Sequence, residues 1–236
     1  MIVAVHQPQY MPWLGYFDKI DKADIFVLLD TVQFKKNEWQ NRNKIKTAQG
    51  WQWLTVPVLY KFPEKIEEVT INNNSNWQNV QRKSLKTNYS KSLHFNHIIE
   101  LLDEIFSAKW ERIAPLNIFT VKEVAQILGI STPIYVASEL GEFPDDPDDR
   151  LIAISQYFNG TTYLAGSGGK DYMKLEKYEK AGIKVQFQEF HHPVYPQLFG
   201  PFESLMSVLD LLFNCGHDSL SFLRGDYECS GDRRAS

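Results

Sequence analysis

Four short polar clusters carry most of what this chain could use for chemistry. His6-Gln7 follows the opening apolar run, and Asp30 with Gln33 follows the next one. Gly166-Ser167-Gly168-Gly169-Lys170 follows a later run, and His192, Tyr195 and Gln197 lie past the last. An imidazole ionises near neutrality, so His6 and His192 are candidate general bases, although His6 could equally be a hydrogen-bonded histidine at a strand end. Asp30 could orient a substrate hydroxyl or amine, or cap the turn that follows it. The glycine loop would let backbone N–H groups approach an anion, with Lys170 to neutralise it. It is not a P-loop, because Leu164 stands at the first glycine position and Asp171 follows the lysine.

Three further segments bear on chemistry. Residues 35–46 hold five cations and one anion, an asymmetry that suits a phosphate or pyrophosphate contact through Arg42 and Lys44 or, more simply, a solvated basic loop. Pro144-Asp145-Asp146-Pro147-Asp148-Asp149 reads as a solvated acidic loop rather than a hard-cation site. Cys215 is a candidate nucleophile, but it stands at a helix C-terminus, where the dipole disfavours a thiolate. His191 and His192 are adjacent, so on a strand they face opposite ways and do not ligate one metal easily.

These clusters need a scaffold that gathers strand ends. Continuous apolar runs over 2–5 and 24–30 fit strands buried on both faces. Trp13, Leu14, Phe17 and Ile20 between them have helical spacing, which makes a compact βαβ unit. Runs over 51–58 and 65–71 read as an antiparallel hairpin or a pair of edge strands. Helices are expected over 77–89, 93–106 and 111–128, the last closed by Gly129. Strands over 132–136, 161–165 and 183–190 then alternate with helices over 150–158 and 173–181, and helices over 204–214 and 218–223 finish the chain. The expected class is α/β: a mostly parallel sheet with an antiparallel hairpin and a helical insert at about 75–128. One domain is expected over 1–224, with a patternless, frayed tail over 225–236. In such a sheet ligands bind at the carboxyl ends of the strands, where the polar clusters collect.

Composition narrows the class. The 236 residues are 43% hydrophobic and 23% charged, as in an ordinary globular protein. A net charge of −4 argues against nucleic acid as a partner bound by bulk charge. Two cysteines, Cys215 and Cys229, are too few for a disulfide framework or a cysteine-rich zinc site, so no metal or cofactor is expected. No apolar run approaches the ~18 residues of a membrane span, and the first six residues lack a signal-peptide pattern. A cytoplasmic location is the expectation. Six Trp and eleven Tyr suit a site that stacks flat or sugar-like groups, or simply a well-filled core.

The motifs also resemble a known family. His6-Gln7-Pro8-Gln9-Tyr10-Met11-Pro12-Trp13-Leu14-Gly15-Tyr16-Phe17 with Lys19, Asp30, Gln33-Phe34, Asn41-Arg42-Asn43 with Ile45-Lys46, and 53–57 are similar to the WbqC-like family. So are 166–172, His192-Pro193 with Tyr195 and Gln197, and 207–216 with Asn214. That resemblance implies a role in bacterial O-antigen or other surface-polysaccharide biosynthesis. It also implies an enzyme that moves an acyl or aminoacyl group from a thioester donor, such as a carrier protein or coenzyme A, onto the amine of a nucleotide-linked sugar. On that reading Arg42, Lys44 and Lys170 would hold the diphosphate, with Tyr10, Trp39 and Tyr195 beside the base or sugar. His6 or His192 would take the amine's proton with Asp30 as orienter, and Gln7 or the glycine-loop amides would stabilise the oxyanion. Gln33, Asn41, Gly168, Gly169, Tyr172, Gln197 and Asn214 would complete the substrate contacts, with Cys215 a second-choice nucleophile. A weaker likeness, to HxGH nucleotidylyltransferases and pantothenate synthetases, implies a Rossmann/HUP-like sheet, but Trp13 and Tyr16 replace both signature histidines. Nucleotidylyl transfer, and non-catalytic binding of a sugar nucleotide or carrier protein, are the alternatives.

Overall fold

The computed structural model describes residues 1–226, so the expectation of a frayed tail over 225–236 lies, from residue 227 onward, outside the described residues. The chain opens with strand β1 (Ile2–His6), helix α1 (Leu14–Asp21) and strand β2 (Ile25–Leu28). β1 and β2 pair in parallel, Val3 against Ile25 through His6 against Leu28. A long excursion follows. It holds β3 (Arg42–Thr47), β4 (Gly50–Thr55), β5 (Val58–Leu59), β6 (Thr70–Ile71) and four helices, α2 (Trp77–Tyr89), α3 (Phe95–Leu101), α4 (Asp103–Ser107) and α5 (Ile113–Leu128). The chain re-enters the sheet as β7 (Ile134–Val136) and runs through α6 (Ala137–Leu140) and α7 (Pro147–Tyr157) to β8 (Thr162–Ala165). It closes with α8 (Leu175–Lys180), β9 (Lys184–Phe187), α9 (Val208–Cys215) and α10 (Ser219–Arg224).

The central sheet has the order β7-β2-β1-β8-β9, and every pair is parallel. The expected α/β class with a parallel sheet is what forms. The apolar strand residues divide by parity, as the period of two requires. Ala4, Phe26, Leu28 and Leu164 pack with α1, α5 and the excursion on one face. Val3, Val5, Val27 and Tyr163 pack with α7 and α8 on the other. Both faces are therefore covered, which is why these strands are apolar without alternation.

Several element boundaries differ from expectation. The 51–58 run pairs mainly with the preceding basic segment, Arg42 against Thr55 through Thr47 against Gly50, and only Val58-Leu59 meets Thr70-Ile71. The basic segment forms a strand because Arg42 and Lys44 lie against Trp53, while Asn43 and Ile45 turn inward and are fully buried. The acidic 144–149 stretch is a helix start rather than a solvated loop. Asp146 Oδ1 accepts from the amides of Asp148 and Asp149, and Pro147 takes the first helical position. Helix α9 begins four residues later than expected, at a Ser207 cap whose hydroxyl accepts from the Leu209 amide. Gly129 closes α5 at φ +81°, as expected of a left-handed cap.

Candidate functional site

The strand order sets where a ligand can enter. From β1 the chain moves outward to β2 and β7, then returns to β8 and β9 on the opposite side. Connections thus leave β1 and β8 in opposite directions, which opens a crevice beyond their carboxyl ends. A cleft of about 400 Å³ lies there, lined by His6, Gln7, Lys19, Gln33, Lys35, Arg150, Tyr163 and Tyr172 among others. A second chamber of about 250 Å³ shares His6, Lys19, Gly166 and Tyr172 and adds Tyr16, Gly168, Gly169 and Gln188.

Two basic side chains stand where the chambers meet. His6, the last residue of β1, donates from Nδ1 to the Gln7 carbonyl at 3.1 Å, because a carbonyl can only accept. Its Nε2 then carries the lone pair. Burial, reinforced by nearby Lys19, pushes the imidazole down to about 3, so the ring is neutral at physiological pH. The Tyr16 hydroxyl donates to the same carbonyl at 3.0 Å, and its ring meets the imidazole edge-on at 4.7 Å. Lys19, on α1, is 3% exposed, and its Nζ donates to the Val5 carbonyl at 2.9 Å. Burial pushes this amine down to about 7. The carboxylate of the preceding residue is already engaged: Asp18 pairs with Lys22 at 2.8 Å and accepts from Gln188 at 2.6 Å.

Backbone geometry lets α1 approach this closely. A Cβ on Gly15 would fall 2.3 Å from the Trp13 ring, so glycine admits the indole against the first turn of the helix. In the loop after β8, a Cβ on Gly169 would fall 2.7 Å from Met173 Sδ, whereas one on Gly168 would meet nothing within 4 Å. The loop therefore presents bare backbone to the second chamber.

The structure brings His6, Gln7, Gln33, Gly168, Gly169 and Tyr172 to the cleft. Gln7 is steadied by Gln40, whose Nε2 donates to its Oε1 at 2.6 Å. Tyr172 is 73% exposed and stands at the mouth. Lys170 lies 5.4 Å from the Phe187 ring and does not line either chamber.

The remaining candidates sit elsewhere. The Asp30 carboxylate is buried and accepts from the Ser138 amide at 3.1 Å and the Ser138 hydroxyl at 2.7 Å, which fastens the start of α6. Arg42 stacks on Trp53 at 4.2 Å and donates to the Asn37 carbonyl. Lys44 lies 4.2 Å from Trp51, and Trp39 stands 5.7 Å from Trp53. This tryptophan–cation ladder lies on the β3–β4 hairpin, outside the residues that line the cleft. Tyr10 and Asn41 are buried, bonded to Gln81 and to the Val56 carbonyl.

The C-terminal cluster forms a separate buried network around Asp210. This carboxylate accepts from Tyr89 at 2.7 Å, Tyr195 at 2.9 Å and Gln197 at 2.6 Å, and Asn214 donates to its backbone carbonyl. His192 follows β9 by several residues. It spends Nδ1 on the Pro193 carbonyl and Nε2 on the Leu205 amide, so it holds the 188–207 segment in place. Cys215 is buried, and burial followed by the Asp210 charge pushes its thiol up to about 12. None of these residues lines the switch-point cleft.

Reasoning from sequence missed Lys19, Lys35, Arg150, Tyr163 and Gln188. Lys19 lay within the opening motif, and a lysine amid Leu14, Phe17 and Ile20 on a short helix was the available signal. Arg150 had none, because its place follows from α7 packing against β1 and β8. Among the described residues no group of three or more His, Cys, Asp or Glu could hold a metal ion, and no helix is long and apolar enough to cross a membrane.

Comparison with known proteins agrees with the length and continuity of these motifs. No solved structure matches the chain. The uncharacterized protein Rv1507c of Mycobacterium tuberculosis is 36% identical over 226 residues, covering 94% of this chain and 97% of that one. The WbqC-like protein family matches over residues 7–222, a span that runs from the residue after His6 through the cleft, the excursion and the Asp210 network into α10. The chain belongs to the WbqC-like protein family.

Proposed function

We propose that this protein transfers an acyl or aminoacyl group from a thioester donor to the amine of a nucleotide-linked sugar, in surface-polysaccharide biosynthesis in the cytoplasm, with residues 1–224 working as one unit. The observation that carries this reading is the set of basic side chains that line the switch-point cleft. Among the described residues, Lys19, Lys35 and Arg150 line it and no Asp or Glu does, in a chain whose net charge is −4; Arg150 also reaches Asp145, at 4.0 Å, beyond the lining. A cleft so lined suits a diphosphate, and a parallel sheet binds nucleotides at this place. The bare Gly166–Gly169 backbone leaves room for a sugar beside it.

On this reading the neutral sugar amine attacks the thioester carbonyl. A C–N bond forms, the C–S bond breaks, and the proton lost by the amine passes through Nε2 of His6 to the leaving thiolate. Neutral His6 is in the correct state to accept that proton. Gln7, held by Gln40, supports the carbonyl oxygen as charge builds on it. On this reading the diphosphate sits in the cleft and not on Arg42 and Lys44, which the hairpin stacks on tryptophan.

The test is a thermal-shift panel followed by product analysis. UDP-, dTDP- and GDP-sugars, acyl-coenzyme A and ATP with Mg²⁺ are added singly, since a ligand that binds only the folded chain raises the melting midpoint. Stabilisation by a sugar nucleotide, and an acylated dTDP- or UDP-amino sugar by mass spectrometry with free coenzyme A released, is the expected result. Stabilisation by ATP alone would replace the proposal with nucleotidylyl transfer. A flat panel would leave no support for a nucleotide site.

A further inference from the structure

The two chambers meet over an amine that has no acidic partner among the described residues. Lys19 is more than nine-tenths buried, and its one hydrogen bond is to the Val5 carbonyl. An ammonium has three donors, so two remain for a ligand. The groups facing it come from every side of the cleft: His6 from β1, Tyr16 from its own helix, Tyr163 from β8 with its ring 5.8 Å away, Tyr172 from the loop beyond, and Lys35 and Arg150 from the opposite wall. None is a carboxylate. A buried lysine without an acid is costly to fold around, and packing does not require it, because methionine would fill the same space.

We propose that Lys19 is the anchor for the diphosphate of the bound nucleotide, and that it takes up a proton as the ligand enters, so that charge appears on the floor of the cleft only when an anion is there to meet it. This rests on the reading of the cleft as a sugar-nucleotide site. Burial alone holds the amine at about 7, whereas a diphosphate beside it restores the charged form. A sugar nucleotide suits the test because its diphosphate has no group that titrates between pH 6 and 9. At pH 8 about nine in ten empty molecules carry a neutral Lys19, so binding takes up close to one proton.

Calorimetric titration of the full chain with UDP-, dTDP- and GDP-glucose in HEPES and in Tris reads that proton from the difference in heat. The expected result at pH 8 is an uptake near one, with affinity weakening about tenfold per pH unit above 7 and levelling off below it. Lys19→Met should lose the uptake and at least tenfold in affinity. Lys19→Arg, permanently charged, should bind with no uptake and no pH dependence, and His6→Asn should keep the uptake. Binding by the unsubstituted chain without proton uptake, or uptake that survives Lys19→Met, would overturn the role of Lys19 and leave the nucleotide site standing. No heat with any of the three sugars would overturn both. Melting curves of each variant confirm folding, and an affinity of the unsubstituted chain that does not change with pH would overturn the role of Lys19 without any variant.

Discussion

Replacing Lys19 with methionine is expected to stabilise the empty protein, and the size and pH dependence of the gain follow from its surroundings. Burial lowers the amine from an ordinary 10.5 to about 7. At 1.36 kcal/mol per pH unit that difference costs the folded state roughly 4–5 kcal/mol where both states carry the proton, because burial penalises the charged amine in the folded chain. The sign is that of a depressed base. The cost is full below about pH 7, and it fades as pH rises from 7 to 10.5, where the unfolded chain also gives up the proton. Methionine removes the cost but also the hydrogen bond to the Val5 carbonyl, worth about 1 kcal/mol. A net gain of roughly 2–4 kcal/mol at pH 7 is expected. Urea unfolding at pH 7, 8 and 9 measures it. The unsubstituted chain should gain about 2 kcal/mol on the variant between pH 7 and 9. The raised thiol of Cys215 and the buried tyrosines are common to both proteins and cancel in the difference. Two stability curves that run parallel with pH would show that Lys19 ionises as it does in water, and the argument from its burial would fail.

Other substitutions separate the cleft from its supports. Asp30→Ala strands the buried Ser138 donors and should cost about 1–3 kcal/mol in urea unfolding, while sugar-nucleotide stabilisation persists at permissive temperature; loss of binding without loss of stability would return Asp30 to the site. Arg42→Ala should weaken the hairpin by about 0.5–1 kcal/mol and leave the ligand-induced midpoint shift intact; abolition of that shift would place the diphosphate on the hairpin. The Cys215 peptide should resist iodoacetamide at pH 8 until the chain is unfolded, as read by mass spectrometry, because its thiol is pushed up to about 12; rapid native labelling would contradict its burial.

The local pattern of residues determined the class of this protein and one end of its cleft. Unalternating apolar runs over β1, β2 and β8 fit strands covered on both faces, so a parallel sheet was legible, and with it the position of His6, Gln7 and the glycine loop at strand ends. Caps at Gly129 and Asp146 obey local chemistry, although the second was hidden inside an acidic run that reads as solvated. What tertiary structure alone decided was which polar groups meet. Asp30, His192, Tyr195 and Gln197 carry the same donors and acceptors as cleft residues, but Asp30 is taken up by Ser138 and Gln197 by Lys46 far along the chain, and His192 and Tyr195 by Leu205 and Asp210, so residue type could not separate a scaffold bond from a vacant one. Lys19 shows the reverse. On a helical wheel it falls about 100° from Ile20, on the flank that a surface helix leaves to water. The approach of β8 and its loop beside β1 buries that flank, and that approach depends on strand order, a relation between residues 160 positions apart that no local pattern encodes.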